Sequence, residues 1–208
     1  VTDSFACYKE YSIKSTADTL YFTFQKDSLE TDAAFLIQGI ELLNDNPGIT
    51  YSEVGVNGAK VKSFLKCGDF TSQFATLNPD LVVLSLGIND AYNLNYTDSV
   101  FYQYYDSLIQ IIKATLPGVN IILTTPGDGK RHRKTVLIEN LSIRNSILKL
   151  AKENNCAVWD FFNVMGGLGS INKWHKNKLT AADFLHFNEK GYHLQGELFY
   201  TAIQNSYN

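Results

Sequence analysis

The chain has 208 residues, 45% of them hydrophobic and 19% charged, with a formal net charge of −3. That length holds one globular domain with a full core, and the charge leaves no basic surplus for gripping a nucleic-acid backbone. No apolar run approaches the ~20 residues of a membrane helix, so the expected partner is a small molecule or a polymer met at a local site.

Residues 19–28, "TLYFTFQKDS", alternate and are rich in aromatics, as in a strand. Residues 34–56 read as two strands around Asp45-Asn46-Pro47-Gly48, where Pro fixes φ and Gly accepts positive φ. From Gly58 the rhythm changes. Residues 59–77 read as a helix broken near Gly68. "DLVVLSLG" (80–87) is a near-continuous apolar run, the pattern of a strand buried on both faces. An amphipathic helix follows over 101–116, with Tyr105, Leu108 and Ile112 at helical spacing, and Pro117-Gly118 stops it. "VNIILTTPG" is the next strand. Residues 139–155 form a helix with Ile143, Ile147, Leu150 and Ala151 on one face. "CAVWDFF" is a third strand, and a last helix runs from Glu189 towards Ile203.

Apolar strands alternating with helices predict an α/β fold with a parallel sheet covered on both faces. Such folds bind ligands beyond the carboxyl ends of their strands. Attention therefore falls on Gly58, Gly87 to Asp90, Thr125 to Asp128, and Asp160 onward. Asn89, just after a strand, can aim an amide N–H at a developing oxyanion; its other reading is a loop cap, shared with Asp90. Gly58, at a strand-to-helix junction, offers an open backbone N–H or is a plain turn glycine. Asp183 stands three residues before His186. On a first helical turn or a tight loop the carboxylate reaches the imidazole, fixes its tautomer and leaves Nε2 as a base. Alternatively Asp183 caps the helix and His186 is a surface residue.

The other histidines read less sharply. His193 is structural or exposed, and His175 sits on a surface loop. His132 lies in the basic run "KRHRK" (130–134), a solvated loop that can border the site and attract an anion. Cys7, Cys67 and Cys156 form no Cys-x-x-Cys or Cys/His cluster, and the histidines lack ligand spacing, so no metal or other cofactor is expected. A Cys7–Cys67 disulfide is compatible with an exported protein. Cys156 reads as a buried small hydrophobe.

A glycine after one strand, Gly-Ile-Asn-Asp after the next, and Asp-x-x-His before the last helix together resemble the SGNH (GDSL-like) hydrolases. The stretches "PDLVVLSLGINDA", "VWDFFNVMGGLGSINKW" and "DFLHFNEKGYHLQGELFYTAI" are similar to a subset of bacterial GDSL-like acylhydrolases. The likeness runs from about Gly39 to the end. It implies a three-layer α/β/α sandwich of flavodoxin type and a carboxylester hydrolase. Gly58 and Asn89 would hold the oxyanion, His186 would be the base, and Asp183 would orient it. Some relatives act on acetylated cell-wall or plant polysaccharides, which implies an acetylated carbohydrate or small acyl ester as substrate and a periplasmic or secreted location.

The family's first block, Gly-Asp-Ser with the nucleophile, is missing. The nearest match is Thr2-Asp3-Ser4, which makes Ser4 a candidate nucleophile. We expect residues 1–33 to be a β-rich remnant of an inserted module and 34–208 the C-terminal part of the hydrolase domain, its first strand absent. The chain is then a piece of a longer protein whose serine lies upstream. The rivals are a hydrolase fold without a nucleophile that serves as a binding domain, an O-acyltransferase, and a flavodoxin-like nucleotide binder. The last lacks a Gly-rich phosphate loop. "FFNVMGGLGSINKW" raises one more question: Phe161, Phe162 and Met165 read as core, while Trp174 is either core or a platform for a sugar ring.

Overall fold

A computed structural model describes residues 10–13, 17–25, 39–44 and 46–206. Ser4 and Cys7 lie outside them. The chain divides into two compact units, Val1–Val54 and Gly55–Asn208. In the first, none of the described residues is in a helix or strand. Residues 19–25 thus depart from the strand their alternation predicts. Alternation makes a strand only where a neighbouring backbone pairs with it, and no described residue of this unit does so. The same holds for 39–44 and 46–54.

The second unit has the expected alternation. Two short helices, α1 (Val61–Phe64) and α2 (Phe70–Leu77), flank the break near Gly68. They are followed by β1 (Leu81–Ser85), the single turn α3 (Ile88–Ala91) and the long α4 (Asp98–Thr115). Next come β2 (Asn120–Thr124), a small hairpin of β3 (Lys130–Arg131) and β4 (Thr135–Val136), and α5 (Glu139–Glu153). β5 (Ala157–Trp159), α6 (Phe161–Met165), α7 (Ser170–Lys176) and α8 (Glu189–Ser206) complete it.

The sheet is parallel, in the order β1-β2-β5, with Leu81 opposite Asn120 and Ile122 opposite Ala157. Side chains alternate between its faces. Ile121 and Leu123 enter a core with the apolar faces of α4 and α5, where Tyr105, Leu108, Ile112, Ile143 and Ile147 are buried. Tyr105 donates its buried hydroxyl to Leu84 O at 3.2 Å, as a buried polar atom must. Ile122 and Trp159 enter a second core with α6, α7 and α8, including Phe161, Trp174, Leu194 and Leu198. Helices on both faces of a parallel sheet make this the expected three-layer α/β/α sandwich.

The second face is covered over β2 and β5 but bare over β1. Leu81 and Val83 share the face of Ile122 and remain 44% and 41% exposed. No described strand pairs with the outer edge of β1.

Asn188 sets up the end of the chain that carries the histidine. Its Oδ1 accepts Gly191 N–H at 3.1 Å, a side-chain cap at the start of α8, and its Nδ2 donates to Lys178 O at 2.8 Å. Gly191 packs where no Cβ fits, since one would lie 1.9 Å from Leu179 O.

Candidate active site

Ahead of α8, between Thr180 and Phe187, which an isolated antiparallel bridge joins, the chain makes a tight loop rather than a first helical turn. Phe184 takes a left-handed φ of 59° there. Asp183 organises the loop. Its Oδ1 accepts the N–H groups of Leu185 and His186, each at 3.0 Å, and its Oδ2 accepts His186 Nδ1–H at 2.6 Å. A carboxylate facing Nδ1 requires the proton on that nitrogen and leaves Nε2 with its lone pair. Partial burial pushes the Asp183 carboxyl up, but the hydrogen bonds from the His186 imidazole and from the two backbone N–H groups outweigh it and hold the carboxyl below its ordinary range. The side chains of His186 and Asp183 are 56% and 39% exposed, so the dyad is open to water.

The second set of residues meets this loop from the carboxyl end of β1. Gly87, at φ 125°, turns the chain from β1 into α3, and a Cβ there would press within 3.0 Å of Ile143 Cγ2. Asn89 then donates one Nδ2 hydrogen to Ala59 O at 2.9 Å, which leaves its second N–H for a ligand. Asp90 is buried and accepts Val61 N–H at 3.3 Å. Together these bonds fasten the turn that contains Gly58 to α3. Gly58 has a φ of 76°, and its N–H donates to no described residue.

Asn89, Asp183 and His186 open onto one cleft of about 410 Å³. Asn57, Tyr92, Leu185 and three residues at the turn of the hairpin, Lys130, His132 and Arg133, complete its walls. Gly58 is not itself a wall residue; its neighbour Asn57 is. Sequence alone gives no sign of Asn57 or Leu185, and Tyr92 shows only as the residue one helical turn after Asn89. The cleft walls include no serine, threonine or cysteine among the described residues. Among these residues there is also no cluster of three or more metal-ligating side chains, and no helix is long and apolar enough to cross a membrane.

Several expectations change. Residues 130–136 form a hairpin rather than a plain loop. His175 is not on a surface loop but in α7, stacked on Phe184 at 3.9 Å and bonded to Thr180 Oγ1 at 2.8 Å. Trp174 is core: it is 8% exposed, its Nε1 donates to Met165 O at 3.1 Å, and its ring stacks on Phe187. It is not free to stack on a sugar. Phe161, Phe162 and Met165 are buried as read. His193 is exposed, 3.3 Å from Glu197. Thr125, Asp128 and Asp160, all past strand ends, turn inward: Arg144 and Thr125 bind Asp160, and Asp128 accepts Ile171 N–H.

Burial raises the Asp90 carboxyl from 3.8 to about 6, against the opposing pull of Val61 N–H and Lys60. The folded protein therefore binds this proton more tightly than the unfolded chain. The stability it brings is full below pH ~4 and is lost as pH rises through about 6. Asp90→Asn keeps an acceptor for Val61 N–H without the charge. Melting temperatures from pH 4 to 8 are expected to show the wild type losing on the order of 2–3 kcal/mol relative to the variant. Parallel curves for the two proteins would refute this.

A parallel sheet sandwiched by helices carries, at one cleft, a carboxylate-oriented histidine from the loop before α8 and an amide donor from beyond β1, an arrangement compatible with acyl transfer. The family model of the GDSL-like lipase/acylhydrolases matches residues 26–194, and the chain belongs to that family. Among solved structures it is similar to a peptidoglycan O-acetylesterase, at 25% identity and a TM-score of 0.68 over 72% of this chain. The chain spans 44% of the length of that structure. An acetyl xylan esterase (23% identity, TM-score 0.58, 72% of this chain and 79% of that one) shares the fold. So does a lipase/acylhydrolase from Enterococcus faecalis (23% identity, TM-score 0.56, 72% of each chain). No curated protein sequence matches.

Proposed function

We propose that the intact protein is a serine carboxylester hydrolase that removes a small acyl group, acetyl first among them, from a carbohydrate or cell-wall polymer. The observation that carries this reading is the Asp183–His186 dyad opening onto one cleft with Asn89. A serine Oγ attacks the acyl carbonyl while His186 Nε2 takes its proton. Asn89 Nδ2 and the Gly58 N–H receive the oxyanion. His186 then protonates the departing alcohol, and water, activated by the same nitrogen, releases the acid. Water reaches the half-exposed dyad freely, which favours hydrolysis over transfer to a second sugar. The acetyl-carbohydrate substrates of the peptidoglycan and xylan esterases agree with this choice.

The nucleophile is the piece to be supplied. On this reading it arrives on a strand that pairs with the outer edge of β1 and lies beside bare Leu81 and Val83. The test compares this chain with a form extended upstream to include a Gly-Asp-Ser. Both are assayed with p-nitrophenyl acetate and with acetylated xylo-oligosaccharide and O-acetylated peptidoglycan. Turnover by the extended form alone is expected. If this chain turns over by itself and Ser4→Ala abolishes it, Ser4 is the nucleophile. If neither form releases acetate, the esterase reading fails and a binding domain replaces it.

A further inference from the structure

The hairpin that walls the cleft carries four cations around its turn: Lys130, Arg131, Arg133 and Lys134. They are not equivalent. Arg131 is committed inside the protein. Its guanidinium is buried, pairs with Glu139 at 3.1 Å, and donates to Ala91 O at 2.7 Å and Tyr92 O at 3.1 Å. Lys130 Nζ donates to the neutral amide of Asn172 at 2.6 Å and lies over the Phe184 ring, and the acid that feels its charge is the buried Asp128, behind the cleft. Arg133 has no hydrogen bond or ion pair to any described residue. Asp183, the one acid among the described cleft walls, is already engaged by His186 and two backbone N–H groups. The cleft therefore holds one cation, Arg133, without a counter-charge among the described residues, with Lys130 on the same wall, on a chain whose net charge is −3.

The turn between them is strained and clamped. His132 and Arg133 have φ values of 52° and 65°, a left-handed region that glycine or asparagine fills more readily. Such conformations persist where their surroundings fix them, and they gather at functional sites. Here Tyr92 is the clamp. Its hydroxyl accepts His132 N–H at 3.3 Å and meets His132 Nδ1 at 3.3 Å, while Arg131 grips Tyr92's carbonyl. The hairpin is thus tied to α3, the element that presents Asn89.

We infer that this cleft contains an anion subsite, in which Arg133, with Lys130 nearby, receives a carboxylate or phosphate on the alcohol half of the ester. The substrate is then an acylated carbohydrate that carries negative charge. A guanidinium presents two parallel donors to either anion, and uncompensated charge in a cleft concentrates oppositely charged ligand there. The ester part of this statement rests on the hydrolase reading; the anion part rests on the hairpin alone.

The test is an NMR titration of this chain with D-glucuronate, glucose 6-phosphate and D-glucose at low salt. At least one of the two anionic sugars is expected to bind about tenfold or more tighter than glucose. It should shift the amide signals of Arg133 and Leu185, and added salt should weaken it. Which anion wins tells whether the group is a carboxylate or a phosphate. Arg133→Gln is expected to erase the advantage, while Lys152→Gln, in the last turn of α5 and outside the cleft, keeps it. Equal binding of all three sugars, or an advantage intact in Arg133→Gln, overturns the inference. Anion preference in a protein that never hydrolyses an ester would sink only the hydrolase reading; hydrolysis without anion preference would sink only the subsite.

Discussion

His186→Ala, placed in the form of the protein that carries the serine, is expected to lower kcat for p-nitrophenyl acetate by about 10²–10⁴-fold, the usual worth of a positioned general base. The KM should move little, because the imidazole acts on the serine proton rather than on bound ester. The His186 side chain is half exposed, so the melting temperature should stay close to wild type. An unchanged kcat would remove the dyad from the mechanism.

Asp183→Asn refines that result. The asparagine Oδ1 still accepts Leu185 and His186 N–H, so the loop keeps its shape. Its amide now offers a donor to Nδ1, which moves the imidazole proton to Nε2 and blocks proton uptake from serine. Activity should fall nearly as far as in His186→Ala with little loss of stability. The Asp183 carboxyl is held below its ordinary range, so at neutral pH it is the ionised acceptor that the asparagine replaces.

The elements that were legible in the sequence are those whose signal is local. "LVVLS", "NIILT" and "AVW" are near-continuous apolar runs, as a strand inside a parallel sheet requires, and reading them needs no knowledge of the partner. Gly87-Ile88-Asn89-Asp90 stands out because polar residues follow directly on such a run, and Asp183–His186 because its contact spans three residues. What stayed hidden depends on residues far apart. Two-residue strands such as Lys130–Arg131 and Thr135–Val136 are too short for a period, so the hairpin merged with its loop. His175 looked free because its partners, Phe184 and Thr180, come from another loop. Trp174 stays open between core and sugar platform in the sequence, because what decides it is its indole N–H meeting Met165 O across the glycine turn. The alternation of residues 19–25 differs for the converse reason: a local pattern with no paired neighbour among the described residues is not yet a strand.

Asn89→Ala is the sharper test of the oxyanion assignment. Loss of one such donor is expected to cost about 10²–10³-fold in kcat, since the bond matters only once charge reaches the oxygen. Asn89 has a second duty, because its Nδ2 also donates to Ala59 O, and the same substitution loosens the turn that carries Gly58. Lost anchoring alone would cost about 1 kcal/mol of stability and would weaken substrate and transition state together. A lost oxyanion donor lowers kcat and kcat/KM equally and leaves KM near wild type. Asn89→Asp removes both roles at once, because a carboxylate at that position repels both the oxyanion and Ala59 O. It should be at least as inactive as Asn89→Ala. If Asn89→Ala raises KM and spares kcat, Asn89 only positions the turn, and the Gly58 N–H must hold the oxyanion with some other donor.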